Sequence, residues 1–265
     1  MAYSEINKYW NNDIGDKKIG SYSAGYILPV DLEDIALYRF NKELEFLNKY
    51  GRFNIDGNYL DLGCGTGNFI YEWRYKFKNL IGIDFSGPLI QMGKKRCSEL
   101  RNVQFFEDNI LNFEDHLDKD EKFDFIFIGG CLLYINDNDV RLLFERLFSR
   151  LSRSGVLIFR EPTATKERVC ENKNNYICIR RTIEEYKKLV CFDENYETNH
   201  LPNYYTYYVF LIAKYIKAFP FLKNKIFLFN NRFVEFFLLY IPLILYSKIS
   251  RNMIWYNFFI IKNRS

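Results

Sequence analysis

The sequence has few of the residues from which metal centres and disulfide frameworks are built. It contains only two histidines and six cysteines in 265 residues, and no two cysteines have the C-x-x-C spacing of a zinc or redox site. We therefore expect no structural metal and reduced thiols, as in a cytoplasmic protein. The first residues show no basic segment followed by an apolar run, so we predict no signal peptide. The longest apolar run, Phe236–Tyr246, is shorter than the roughly 20 residues of a spanning helix.

The chain also lacks a strong charge of one sign. Its net charge of +4 is too small to indicate a nucleic-acid partner for the whole protein. The distribution is uneven, however, because residues 201–265 hold nine basic residues and a single acid, Glu235. Nineteen of these 65 residues are aromatic. The change in composition predicts an organisational boundary near residue 200, in a chain long enough for one large domain with an appendage.

The hydrophobic pattern predicts an α/β fold. An N-terminal helix is predicted from an Asp31 cap to Tyr50, and from residue 58 onward short apolar runs alternate with helical stretches. This alternation is typical of βαβ units, whose right-handed crossovers give a doubly wound, Rossmann-like sandwich with a ligand crevice at the carboxyl ends of the strands. The predicted strands are 58–62, 79–84, 102–106, 123–129, 154–161, about 191–199 and 255–262, and the helices are 67–77, 87–100, 137–152 and 180–190.

A glycine-rich segment joins the first predicted strand to the helix that comes after it. It reads Asp61-Leu62-Gly63-Cys64-Gly65-Thr66-Gly67, with an acid two residues before the first glycine. Glycines at this spacing allow a tight turn whose backbone can lie against a ligand, and the helix N-terminus beyond them attracts negative charge. A dinucleotide fingerprint would need a glycine at position 68, where the chain has Asn.

The segment resembles motif I of the class I S-adenosylmethionine-dependent methyltransferases. The resemblance covers about residues 58 to 161 and implies S-adenosylmethionine as the cofactor, held by the loop. It also implies that Asp84 accepts the ribose hydroxyls, that Phe85 flanks the adenine, and that Asp108 takes the adenine amino group. The implied cofactor-binding residues are Asp61, Gly63, Gly65, Gly67, Asp84, Phe85, Asp108, Asn109 and Gly129, the last facing the methionine part.

On this basis the chain divides into four predicted segments. Residues 1–57 form a cap arm and helix, and residues 58–200 form the cofactor-binding core. Residues 201–253 form a helical insertion before the last core strand, which occupies residues 254–265. Insertions of this length commonly serve the substrate.

Methyl transfer from a sulfonium donor depends mainly on alignment, and a general base is needed only for some acceptors. The candidates for such a catalytic role lie near the predicted strand ends. They are Tyr134, Glu161 and His200. For each, a structural role in the core or at the surface is the alternative.

The segment after the fourth predicted strand narrows the class of acceptor. Gly129-Gly130-Cys131-Leu132 stands where enzymes that methylate nucleobase amino groups carry an Asp/Asn-Pro-Pro-aromatic sequence, so we expect no DNA partner. The aromatic arm resembles the cap that many such enzymes fold over the cofactor and the acceptor. Arginines near the crevice suit an acidic acceptor, and a solvated charge pair on a helix is the alternative. These substrate or cap residues are Trp10, Tyr22, Tyr26, Arg160 and Arg180.

The sequence therefore predicts a methyltransferase that acts on an oxygen or nitrogen of a small-molecule, glycan or lipid-linked acceptor. A protein or peptide N-terminal amine methyltransferase, an RNA methyltransferase and a non-catalytic scaffold are the alternatives. The basic, aromatic residues 201–253 fit either a lid that packs on the core or a helix that lies on an anionic membrane surface.

Overall fold

The computed structural model describes Trp10, Asn11, Tyr22 and residues 33–173, 176–190, 194–203 and 254–264. Its helices are α1 (Glu33–Tyr50), α2 (Asn68–Trp73), α3 (Gly87–Arg96), α4 (Asp137–Arg150) and α5 (Ile183–Val190). Its strands are β1 (Asn54–Leu62), β2 (Phe77–Asp84), β3 (Val103–Glu107), β4 (Phe123–Gly129), β5 (Leu151–Ala164), β6 (Val169–Lys173), β7 (Tyr176–Arg180), β8 (Tyr196–Asn203) and β9 (Ile254–Asn263). Two 3₁₀ segments cover Ile110–His116 and Leu132–Tyr134.

Seven of these strands form one sheet in the order β3-β2-β1-β4-β5-β9-β8. The strands β1 to β5 are parallel to one another, whereas β9 runs antiparallel to both of its neighbours, β5 and β8. The prediction of a doubly wound α/β sandwich is confirmed. Because the strand order reverses between β1 and β4, a crevice opens at the carboxyl ends of these two strands.

Each face of the sheet carries its own hydrophobic core. On one face Phe40 and Leu47 of α1 pack with Tyr59, Phe127 and residues of α2 and α3. The helices α4 and α5 cover the other face. The N-terminal helix is thus a part of the sandwich, because its apolar side is buried against the strands that also carry the glycine-rich loop.

The predicted helix 180–190 begins too early. Arg180 ends β7, and α5 starts only at Ile183. The start is fixed by a capping box, in which Thr182 Oγ1 accepts from the Glu185 amide at 3.2 Å while Glu185 Oε2 accepts from the Thr182 amide at 2.8 Å. The small antiparallel sheet of β6 and β7 was not predicted.

Two predictions concern residues outside the described ranges. Tyr26 is one of them, and the helical insertion, of which only residues 201–203 are described, is the other. Both stay predictions. Within the described part of the chain, no helix combines the length and the apolar character that crossing a bilayer requires.

Candidate active site

The glycine-rich loop lies between β1 and α2 at the carboxyl edge of the sheet. Gly63, Gly65 and Gly67 have φ values of 74°, 55° and 69°, which L-residues rarely adopt. The amides of Gly63 and Cys64 both donate to the carbonyl of Ile83, at 2.8 and 3.2 Å. A Cβ atom at Gly67 would lie 2.5 Å from the Phe105 ring. The loop is therefore a tightly packed run of backbone beside the end of β2.

Asp84, the last residue of β2, holds this loop in place. Its Oδ2 accepts from the Gly65 amide and its Oδ1 from the Ser86 amide, each at 2.9 Å. Burial raises the pKa of the Asp84 carboxyl, although the two amide donors act in the opposite direction. Each carboxylate oxygen can accept a second hydrogen bond, so the same group can also receive hydroxyl donors from a ligand.

Asp61 lies beneath the loop, near the end of β1. Its carboxyl is buried, and among the described residues Oδ2 has no hydrogen-bond partner. Burial raises the pKa of Asp61 to about 7, although the neighbouring Tyr59 hydroxyl acts in the opposite direction. A buried polar atom without a partner is costly, and a donor supplied by a ligand would satisfy it. The loop, Asp84 and Asp61 therefore fit an S-adenosylmethionine molecule, which carries an ammonium group and ribose hydroxyls as donors.

Asp108 stands next to Asp84 at the same edge, because its amide donates to the Asp84 carbonyl at 3.0 Å. Its Oδ1 accepts from the Asn109 amide at 2.6 Å and from Asn112 Nδ2 at 3.0 Å, and its Oδ2 pairs with His116 Nε2 at 2.7 Å. Burial opposes the charged form, but the hydrogen bonds from His116, Asn112 and Asn109 outweigh it and lower the pKa of the Asp108 carboxyl.

An aromatic cluster flanks the opposite side of Asp84. Phe85 and Trp10 meet edge to face, with ring centroids 6.5 Å apart. Trp10 and Asn11 are held there, since Ser86 Oγ donates to the Trp10 carbonyl at 3.1 Å and the Gly87 amide donates to Asn11 Oδ1 at 3.0 Å. The cluster comprises Trp10, Phe85, Leu133, Tyr134 and Cys178. The structure thus brings three predicted site residues, Trp10, Phe85 and Tyr134, together.

Arg160 is a buried cation, and its role as a contact for an acidic acceptor stays a prediction. Its Nη1 pairs with Glu43 Oε2, and Glu43 Oε1 accepts from Arg39 Nε at 2.9 Å. The guanidinium lies under the end of β4, since a Cβ atom at Gly129 or Gly130 would be 3.4 Å from Arg160 Nη2. Its negative partner is therefore a side chain of α1.

Glu161 points to the opposite face of the sheet. Its Oε1 accepts from the Leu132 amide at 2.8 Å, and among the described residues Oε2 has no hydrogen-bond partner. Burial raises the pKa of Glu161 to about 7. The buried Arg181 donates to the Leu132 carbonyl at 2.9 Å and to Asp137 Oδ1 at 2.8 Å. Glu161 and Arg181 together shape the segment after β4.

The remaining predicted residues are His200, Tyr22 and Arg180. His200 is on β8, four strands from β1, a separation of about 19 Å at the usual strand spacing. Tyr22 packs on Phe40 with centroids 5.0 Å apart and accepts from Arg96 at 3.1 Å. Arg180 ends β7, so the prediction that it lies on a helix is wrong.

The sequence interpretation missed two side chains that act on the site through its charged groups. His116 contacts Asp108, and Glu43 holds Arg160. An acid followed eight residues later by one of only two histidines in the chain is a weak signal for the first contact. No local pattern indicates the second, because the partners are 117 residues apart.

Comparison with known proteins agrees with this geometry. The profile of a family described as "Methyltransferase domain" matches residues 54–207, more than half of the chain. Phosphoethanolamine N-methyltransferase 1 of Arabidopsis thaliana is 30% identical over 116 residues, which are 44% of this chain and 23% of that protein. Carboxy-S-adenosyl-L-methionine synthase of Helicobacter pylori is 25% identical over 116 residues, which are 43% of this chain and 46% of that protein. The match thus spans less than half the length of these curated relatives.

The fold is also that of solved methyltransferases. An S-adenosylmethionine-dependent methyltransferase of Leishmania major superposes with a TM-score of 0.61 at 12% identity, covering 98% of this chain and 82% of that one. At this identity the likeness concerns the fold alone. From the matched family, the glycine-rich loop and the sheet order together, we conclude that the chain belongs to the methyltransferase domain family, among the class I proteins that depend on S-adenosylmethionine.

Proposed function

We propose that this chain transfers a methyl group from S-adenosylmethionine to an oxygen or nitrogen of a small-molecule acceptor. The observation that carries the proposal is the glycine-rich loop, which Asp84 holds at the crevice and which comes directly after the strand that carries the buried carboxyl of Asp61. The family match and the fold support the same interpretation.

The residues of the crevice have distinct roles in this proposal. Asp84 receives the ribose hydroxyls on the acceptor positions that its two backbone hydrogen bonds leave open. Asp108 receives the adenine amino group, the Asn109 backbone and Phe85 border the same ring, and the backbone of Gly129 borders the methionine part. Asp61 accepts from the ammonium group.

The bound cofactor would supply a methyl group already activated on a sulfonium, so the task left to the chain is to position the acceptor and exclude water. The arm at Trp10 closes one side of the crevice through its contacts with Ser86 and Gly87. Tyr134, in the same cluster, is the candidate that contacts the acceptor. Glu161 is buried under the segment after β4, so we assign it to holding that segment in place.

The class of acceptor is a finer proposal. We propose a glycan-type or lipid-type small molecule, and the similarity to a phosphoethanolamine N-methyltransferase favours phosphate-bearing amines as the first compounds to try. The basic aromatic residues 201–253 support an anionic membrane contact as an accompanying proposal. Flotation of the purified protein with anionic and with neutral vesicles tests it, and a protein that floats with neither contradicts it.

The cofactor site is tested by titration calorimetry with S-adenosylmethionine and S-adenosylhomocysteine. We expect micromolar binding by the wild type and a loss of at least about tenfold in Asp84→Asn, which removes an acceptor from the loop. Asp124→Asn is the matched control, because Asp124 also accepts a backbone amide, that of Asn58 at 3.2 Å, but at the amino end of β4. A folded wild type that binds neither compound would leave the scaffold alternative.

The reaction is tested by measuring release of S-adenosylhomocysteine with a panel of acceptors. The panel contains phosphoethanolamine, phosphorylated sugars, a lipid phosphate, peptides with free amino termini and RNA. Turnover with a small molecule alone supports the proposal. Turnover confined to peptides or to RNA would replace it with the corresponding alternative.

A further inference from the structure

The contact between Asp108 and His116 carries an inference about how the adenine site is built. His116 ends the 3₁₀ segment that comes after β3, and its ring stacks on Phe106 with centroids 4.5 Å apart and planes 18° from parallel. Nε2 lies 2.7 Å from Asp108 Oδ2. Because an ionised carboxylate can only accept, the imidazole Nε2–H is the donor.

The segment that carries His116 is anchored at several points. Asn109 caps it by accepting from the Leu111 amide at 3.0 Å, and Ile110 and Phe113 are buried in the core. The stacked imidazole is therefore fixed relative to β3. A donor held in this way limits the rotation of the carboxylate that it contacts.

The hydrogen bonds of Asp108 leave one acceptor position open. A carboxylate has about four such positions. Oδ1 already receives two donors, from Asn109 and Asn112, whereas among the described residues Oδ2 receives one, from His116. The side chain is 27% exposed and stands beside Asp84. The open position of Oδ2 is thus accessible at the edge of the proposed cofactor site.

We infer that His116 is a positioning residue, which fixes Asp108 so that the open position of Oδ2 meets the exocyclic amine of the cofactor's purine. The inference rests on the proposed function, since it assumes that the crevice takes S-adenosylmethionine. It assigns to His116 a selectivity for a base with an amino group at this position over a base that carries only hydrogen there. Without the imidazole, the carboxylate turns away and the selectivity falls.

The test compares two ligands that differ only at this position. S-adenosylhomocysteine carries the amine, whereas its counterpart with unsubstituted purine carries a hydrogen atom there and keeps N1 as an acceptor. We expect wild type to prefer the adenine compound by roughly tenfold or more in calorimetry, and Asp108→Ala, which has no side-chain acceptor, to abolish the preference.

His116→Phe keeps a ring that can stack on Phe106 but removes the donor. We expect this variant to reduce the preference to about threefold or less, while His116→Gln, which retains an N–H donor, keeps most of it. Asp115→Asn is the control. Asp115 is exposed and directly precedes His116 in the chain, and the substitution removes a charge that does not contact Asp108. Its preference should equal that of wild type. Circular dichroism monitors folding, and His116→Met serves as a second variant without a donor.

The outcomes separate the inference from the function on which it rests. A wild type that binds neither ligand refutes the cofactor site itself. If wild type binds both equally, or if His116→Phe weakens both by the same factor with the preference intact, the cofactor site stands and the inference about His116 is wrong. A preference that falls with loss of the donor and is kept by Gln supports the inference.

Discussion

Glu43 is the central anion of a buried ion cluster, and removing its charge gives a stringent test of how the sandwich is held together. The side chain is 0% exposed, and its partners Arg39 and Arg160 are 3% and 7% exposed. Glu43→Gln keeps the shape of the side chain but removes the negative charge that pairs with two buried guanidinium groups. Breaking a buried pair in this way costs about 3–5 kcal/mol, so we expect a loss of unfolding free energy of that size.

Glu45→Gln is the matched control for this substitution. It is the same chemical change on the same helix, but Glu45 is 69% exposed and lies 3.8 Å from Lys42. Exposed pairs of this kind contribute at most about 1 kcal/mol. Urea unfolding followed by circular dichroism gives both free energies, from the midpoint and the slope of each transition.

The reasoning is refuted if Glu43→Gln and Glu45→Gln differ by less than about 1 kcal/mol. A second arm uses Arg160→Met in the Glu43→Gln background. If the penalty arises from an uncompensated buried charge, removing that charge should recover part of the lost stability, and the double variant should be more stable than the additive sum of the two single changes.

Two further changes test the loop and the buried acid. Gly67→Ala should lose about 2–4 kcal/mol of unfolding free energy, because φ is 69° and the new Cβ would lie 2.5 Å from the Phe105 ring. Gly65→Ala, with a φ of 55° and its nearest neighbour 4.0 Å away, should lose only about 1–2 kcal/mol in the same urea measurement; equal losses would contradict the packing argument. Burial raises the pKa of Glu161 from 4.5 to about 7, so the Glu161 carboxyl stays protonated to a higher pH in the folded protein than in the unfolded chain. Wild type should therefore lose stability as the pH rises through this interval. Glu161→Gln cannot titrate, so its urea midpoint should fall less between pH 5 and pH 8, and an identical fall would show that Glu161 is not the group responsible.

The local pattern is sufficient to predict the elements that form the crevice. The glycine-rich loop and the strand 123–129 lie where the sequence predicts them, because apolar runs that end in glycine or an acid are a strong signal for buried parallel strands. The mixed polarity around Arg180 favours a helix that starts there, whereas the capping box at Thr182 is the signal that marks the true start.

Contacts between distant segments are beyond the reach of such patterns. The pairing of Glu43 with Arg160 joins residues 117 positions apart, and it depends on the position of α1 on the sheet, which the sequence does not specify. The contact of His116 with Asp108 spans only eight residues. It is also hidden from the sequence, because a 3₁₀ segment of seven residues is too short for its three-residue period to be recognised there.

The position of β9 has a consequence for the synthesis of the chain. Within the described residues β8 pairs only with β9, which lies between it and β5. While the ribosome is still adding the residues between 203 and 254, β8 therefore has no strand beside it, and the exposed edge of β5 is open to wrong pairing. This side of the sheet can close only after translation has passed residue 263, so chaperones that shield strand edges would act on this protein late in its synthesis.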